Sequence, residues 1–422
     1  MLLRRRSRML GVVLAVIILP VLMSAAWAQS KYTSLHKFDG ATNGSDVTGG
    51  LVFDSSGSLY GTAAYGGAHS YGTVFELSPH SNGRWAFKVL HTFTGGSDGG
   101  APLSTLVFDQ AGNLYGTTRQ GGDSNSGVVF KLARNEDGSW TESVLYSFEG
   151  GTDGAAPFAG LIFDDSGKLY GTTTEGGGSQ TCNGGCGTVF TLTPNSDGSW
   201  TETVLYSFSG GSDGATPYAP LLFDSSGNLY GTTHEGGTAS SNCSAGCGVV
   251  FELTPIADGS RKETVLHRFC SGGVFCTDGL GPGDSVVLDQ AGNIYGTTES
   301  GGASYNGVVF RLTHNTDGGW KEKVLLSFNG MDGSAPYAGL ITDQTGSLYS
   351  TTFAGGPAGA GVVFKLMPNS NGEWHETILH AFHDHPGEMP TAGVIFDAEG
   401  NLYGTTSGDE YRTFGSVFEI MP

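Results

Sequence analysis

Four short runs of apolar and polar residues recur in a fixed order along this chain. In one period they fall at residues 106–109 (run a), 113–118 (run b), 127–132 (run c) and 140–148 (run d). Run d sets Val144, Tyr146 and Phe148 on alternate positions, the period-two pattern of a half-buried strand. Run c is more continuously apolar at Val128-Val129-Phe130, as expected nearer the centre of a sheet. Beyond the first 28 residues no eleven-residue window has helical periodicity. Each period therefore predicts four β-strands and no helix.

The period is marked by Leu-Tyr-Gly-Thr-Thr in run b, with tyrosines at 60, 115, 170, 230, 295, 349 and 403. A spacing of this size signals a propeller or a solenoid. Runs a and b are joined by Asp-x-x-Gly, as in Asp224 to Gly227, and runs c and d by Asn-x-Asp-Gly, as in Asn195 to Gly198. Both are tight-turn signatures, with an aspartate or asparagine to accept backbone N–H groups and a glycine to take a positive φ. The ends decide between the two architectures. An isolated run d at residues 32–38 comes first, and a run c at 415–420 comes last without a d of its own. Pairing these two closes a ring, whereas an open solenoid needs polar caps at both ends. The expected fold is an all-β, seven-bladed β-propeller of four-stranded antiparallel blades, closed by pairing the N-terminal strand with the C-terminal strand.

The same residues carry a family resemblance. Asp153 to Pro157, Leu221 to Thr233, Gly236-Gly237 and Gly248 to Leu253 together resemble the GloVer tandem-repeat family of bacterial exported proteins, over nearly all of the chain after its leader. The resemblance implies an extracytoplasmic repeat protein and no established reaction. Many members end in a sorting or anchoring tail; this chain stops at Met421-Pro422, so a surface anchor is not expected.

The N-terminus agrees. Arg4, Arg5, Arg6 and Arg8 precede an apolar run from Met9 to Met23, and Ala26-Trp27-Ala28 supplies the small residues of a cleavage site. Residues 1–28 thus read as a signal peptide and 29–422 as the propeller. The expected location is periplasmic or secreted, with no membrane span after cleavage. Removing the leader takes away four arginines and no acids, moving the net charge from −20 to −24. Such a surface repels nucleic acid, and no basic stripe interrupts it. A monomer is expected. The six cysteines fall in three local pairs, Cys182 with Cys186, Cys243 with Cys247, and Cys270 with Cys276. In an exported chain these read as disulfides. A closed zinc site is the rival, but each loop offers only two thiols.

In up-and-down blades the a–b and c–d turns share one face, and the b–c and d–a loops share the other. The first set is short and uniform. The second is irregular, and loops displayed on a rigid scaffold are where binding resides. On that face Phe158, Tyr218 and Tyr337 follow a loop proline and could stack on sugar rings, although packing between blades would also explain them. Asp98, Asp153, Asp213, Asp278 and Asp332 recur eight residues before run a, either as a cation-attracting ring or as turn residues. Calcium needs more oxygens than one acid per loop provides, so no cofactor is assigned. His383 and His385, where the last period departs from the pattern, have the His-x-His spacing that can hold a transition metal. No catalytic set stands out among 40 acids. The expectation is a binding or interaction module, for carbohydrate or another surface polymer; a propeller-fold polysaccharide lyase or hydrolase and a structural cell-envelope component are the alternatives.

Overall fold

The structure, a computed structural model, describes residues 30–257, 259–271, 273, 275–383, 389–408 and 414–422. The expected signal segment lies outside that set. The strands form seven four-stranded antiparallel sheets. In blade 2 the order is Val107–Phe108, Leu114–Thr118, Val128–Arg134 and Trp140–Ser147, strands a to d. Blade 7 is completed by the start of the chain: Lys31–Lys37 lies antiparallel to Ser416–Met421, with Lys31 opposite Met421. The ring is closed as expected, and the array has no unpaired end.

The first four residues of the Leu-Tyr-Gly-Thr-Thr motif each have a structural task. The leucine is buried in the seam between blades, as Leu229 is. In all seven blades the tyrosine hydroxyl donates to the aspartate of the a–b turn, at 2.9 to 3.4 Å. That aspartate also accepts N–H groups two and four residues on, as Asp164 does from Ser166 and Lys168 at 2.9 Å. The glycine admits a ring: a Cβ on Gly231 would lie 2.5 Å from Cζ of Phe251. The first threonine is a latch. Its Oγ1 donates to a carbonyl at the start of the next blade, Thr117 to Ala159 at 3.0 Å and Thr297 to Ala338 at 2.9 Å. Thr405 does the same to Gly49 at 3.1 Å, across the closure.

The core is seven seams. At each, the phenylalanine ending strand d of one blade meets edge-on the phenylalanine in strand c of the next, as Phe208 meets Phe251 with centroids 5.2 Å apart. The tryptophan opening strand d packs on the tyrosine of the preceding blade, Trp140 on Tyr60 at 6.2 Å. Blade 4 has Arg261 there, stacked over Tyr170 at 5.8 Å. The repeated tryptophans are therefore packing residues.

Strand d departs from simple alternation. Val129 faces Tyr146 but Phe130 faces Val144, so a bulge leaves Leu145 without an opposite residue. The c–d ladder of every blade shifts at this place. Val144 consequently turns out to solvent, 37% exposed, while Leu145 packs against the seam.

Candidate functional site

The b–c and d–a loops do share a face, and short backbone bridges tie them together. Gly100 N–H donates to Gln120 O at 2.8 Å, and Ala155 to Glu175 O at 2.9 Å. At the centre of this face is a cavity of about 390 Å³ whose lining includes residues from all seven blades, Thr48, Leu103, Phe158, Tyr218, Gly283, Tyr337 and Thr391. A cavity touching every blade lies on the ring axis, so this is the mouth of the central channel. These seven residues occupy one register position, and the repeats vary there while the flanking motif stays constant.

Phe158 and Tyr218 also line a second cavity of about 760 Å³ over the b–c loops of blades 3 and 4, together with Arg119, Glu175 and Glu235. Their rings, 5.0 Å apart and steeply inclined, stand between mouth and cleft. Tyr337, 37% exposed, stands farther round the mouth against Phe353. The three predicted aromatic residues are thus brought to a single opening.

Sequence reasoning missed the polar groups there. Asp284 occupies a position that holds Gly49, Ser104, Ala159, Ala219, Ala338 and Ala392 in the other blades, and it lines the mouth. Its carboxylate accepts N–H groups from Ser285 at 2.6 Å and from Gly339 at 2.7 Å. Burial pushes its pKa up, against the opposing effect of those bonds. His234 and Glu299, each directly after Thr-Thr, pair at 3.1 Å. Burial alone would lower His234, but the hydrogen bond and charge of Glu299, with Glu235, outweigh it and leave the imidazole raised. The signal that could have found both was the position after the motif, which reads Ala64, Arg119, Thr174, His234, Glu299, Phe353 and Ser407.

The five loop aspartates are engaged elsewhere. Asp153 accepts Glu149 N–H at 2.8 Å and the Tyr146 hydroxyl at 3.0 Å; Asp213 accepts Ser209 N–H and Tyr206 in the same way. Asp98 accepts Thr94 N–H at 2.9 Å, Asp278 accepts Cys270 N–H at 3.1 Å, and Asp332 accepts Asn329 N–H at 2.8 Å. The charge of each also acts on a glutamate of the next blade's strand d. Glu142, Glu202, Glu263 and Glu322 are raised to about 7 and Glu376 to about 8, chiefly by burial and further by the charges of Asp98, Asp153, Asp213, Asp278 and Asp332. His383 ends strand d of blade 6, exposed and opposite Gly359, while His385 lies outside the described residues.

Three disulfides join the predicted pairs. Among the described residues, no helix is long and apolar enough to cross a membrane.

The Gloeobacter/Verrucomicrobia repeat family matches residues 21–241 and 237–422. The chain belongs to this family. No curated protein matches. Among solved structures, this family member is similar to a luciferin-regenerating enzyme, at 12% identity and a TM-score of 0.45, over 93% of this chain and 95% of that one. It is also similar to a Thermus thermophilus protein titled a putative oxidoreductase (glucose dehydrogenase), at 15% identity and a TM-score of 0.44, over 93% of this chain and 100% of that one.

Proposed function

We propose that this protein is an exported binding module that takes a segment of uncharged polysaccharide at the channel mouth and in the cleft beside it. The observation that carries the reading is the aromatic partition: Phe158 and Tyr218 present surface to two adjoining cavities, so an extended ligand crossing from one to the other passes over rings. Aromatic faces suit the apolar faces of sugars, and Asp284, Arg119, Glu175, Glu235 and the His234–Glu299 pair supply acceptors and donors for hydroxyl groups. The net charge of −24 without the leader disfavours polyanions.

The test is retention of the protein on a panel of soluble and insoluble polysaccharides, with Tyr218→Ala and Tyr337→Ala beside wild type. Retention by at least one uncharged polymer, weakened in both variants at unchanged melting temperature, is expected; a panel without retention overturns the reading. A hydrolase or lyase is the second reading, favoured by a carboxyl raised by burial in the same opening as an ion-paired imidazole. Under it, wild type releases soluble product from a retained polymer, and Asp284→Asn stops release while retention persists.

A further inference from the structure

The b–c loops of blades 3 and 4 each carry Cys-x-x-x-Cys, yet they meet different neighbours. Cys182 and Cys186 pack on Gly210 of the following d–a loop, where an added Cβ would lie 2.6 Å from Cys186 Sγ. Cys243 and Cys247 instead meet a following d–a loop that carries Cys270 and Cys276. All four sulfurs lie within 4.8 Å of one another. Cys276 stands where blade 3 has Gly211, and its carbonyl accepts the N–H groups of Gly279 and Gly302 as the Gly211 carbonyl accepts those of Gly214 and Gly237. The objection that each loop offers only two thiols is thereby removed, because two loops converge.

We infer that these four cysteines, when reduced, form a closed tetrathiolate site for one zinc ion, so that this corner has two mutually exclusive cross-linked states. Zinc–sulfur bonds of about 2.3 Å in a tetrahedron set sulfurs about 3.8 Å apart, so the widest separation closes by about 1 Å and each formerly bonded pair opens by about 1.7 Å. Cys247, Cys270 and Cys276 are buried at 0%, 2% and 1% exposure, which suits a structural site without an open coordination position. The Ser240 hydroxyl lies 3.1 Å from Cys243 Sγ, 3.7 Å from Cys247 Sγ and 3.8 Å from Cys276 Sγ, placed to donate to thiolate sulfur.

The interconversion balances. Two disulfides, two molecules of a phosphine reductant and two waters give four thiols and two phosphine oxides; one Zn²⁺ then displaces four protons. In the reverse direction a diazene oxidant accepts two electrons and two protons for each disulfide re-formed, and the ion leaves.

The experiment uses Co²⁺ and Zn²⁺ as probes on the phosphine-reduced chain under argon, with folding followed by near-ultraviolet circular dichroism. The expected result is one Co²⁺ per chain with the charge-transfer and visible bands of tetrahedral thiolate coordination, displaced by one Zn²⁺ and released on diazene oxidation. Cys182→Ser with Cys186→Ser keeps the signal, and Cys243→Ser with Cys270→Ser loses it. A reduced, folded chain without tetrahedral bands overturns the inference. So does a signal that follows Cys182 and Cys186, or a reduced chain that neither ion restores to the folded spectrum.

Discussion

The seams between blades and the mouth of the channel are built from the same repeat, and they treat repetition in opposite ways. At the seams the same contacts recur around the ring: threonine to the next blade's carbonyl and phenylalanine against phenylalanine. At the mouth one register position holds Thr48, Leu103, Phe158, Tyr218, Gly283, Tyr337 and Thr391. Stability needs every blade to fit its neighbour, which fixes the seam residues. The axis needs only small backbone-lined walls, so side chains there are free to differ, and blades 3 to 6 use that freedom for rings and charges.

The largest effect should come from the seam. Phe251 is fully buried against Phe208 and under Gly231. Phe251→Ala is expected to cost about 3–5 kcal/mol of stability through lost burial and the remaining cavity. Denaturant unfolding measures it, with Tyr218→Ala as the contrast. A loss under about 1 kcal/mol would mean that the seams are not what holds the ring.

This contrast also explains what could be read from the chain. Period, strand count and turns were legible, because each rests on local chemistry repeated seven times, as Asp224 and Gly227 mark a hairpin wherever they stand; closure was legible from the unmatched runs at 32–38 and 415–420. The bulge at Leu145 was not, since a one-residue slip depends on how strand d lies on strand c. Neither was the convergence of Cys243 and Cys247 with Cys270 and Cys276, which lie on loops more than twenty residues apart in sequence and meet only in the ring. The loop aspartates were legible as turn residues, but their opposition to glutamates such as Glu202 needs the neighbouring blade. Phe158, Tyr218 and Tyr337 were visible as aromatic residues in loops. Asp284 was not, because its small counterparts gave no reason to look there.

At the mouth, Tyr218→Ala should separate binding from folding. Its ring is half-buried between two cavities, and a ligand-facing aromatic contributes about 1–3 kcal/mol to affinity, or roughly fivefold to somewhat over a hundredfold in dissociation constant. Titration with a retained oligosaccharide checks this. Equal losses of affinity and melting temperature would return Tyr218 to the packing residues.

The ring latch is worth less. Thr405→Val keeps the shape and removes the hydroxyl bond to the Gly49 carbonyl, which joins the last blade to the first. The expected loss is about 1 kcal/mol, as for a single hydrogen bond. Thr117→Val, at an interior seam, is the comparison. A larger loss at Thr405 than at Thr117 would show that the closure seam depends more heavily on its latch.

The smallest effect sharpens the seam itself. Glu202 is raised from 4.5 to about 7 by burial and by Asp153, and its Oε1 lacks a hydrogen-bond partner among the described residues. The folded state therefore holds this proton more tightly than the unfolded chain. Its stabilising contribution is full below about pH 4.5 and is lost as pH rises through 7. His36 and His380, lowered to about 4 chiefly by burial, act in the opposite sense and lose stability as pH falls from 6.5. The whole-protein profile mixes the two groups, and Glu202→Gln isolates one. The variant should melt a degree or two higher than wild type at about pH 8 and within error of it at about pH 5. Equal shifts at both pH values would mean that the amide contributes packing or hydrogen bonding, and that the Glu202 charge is not what the seam resists.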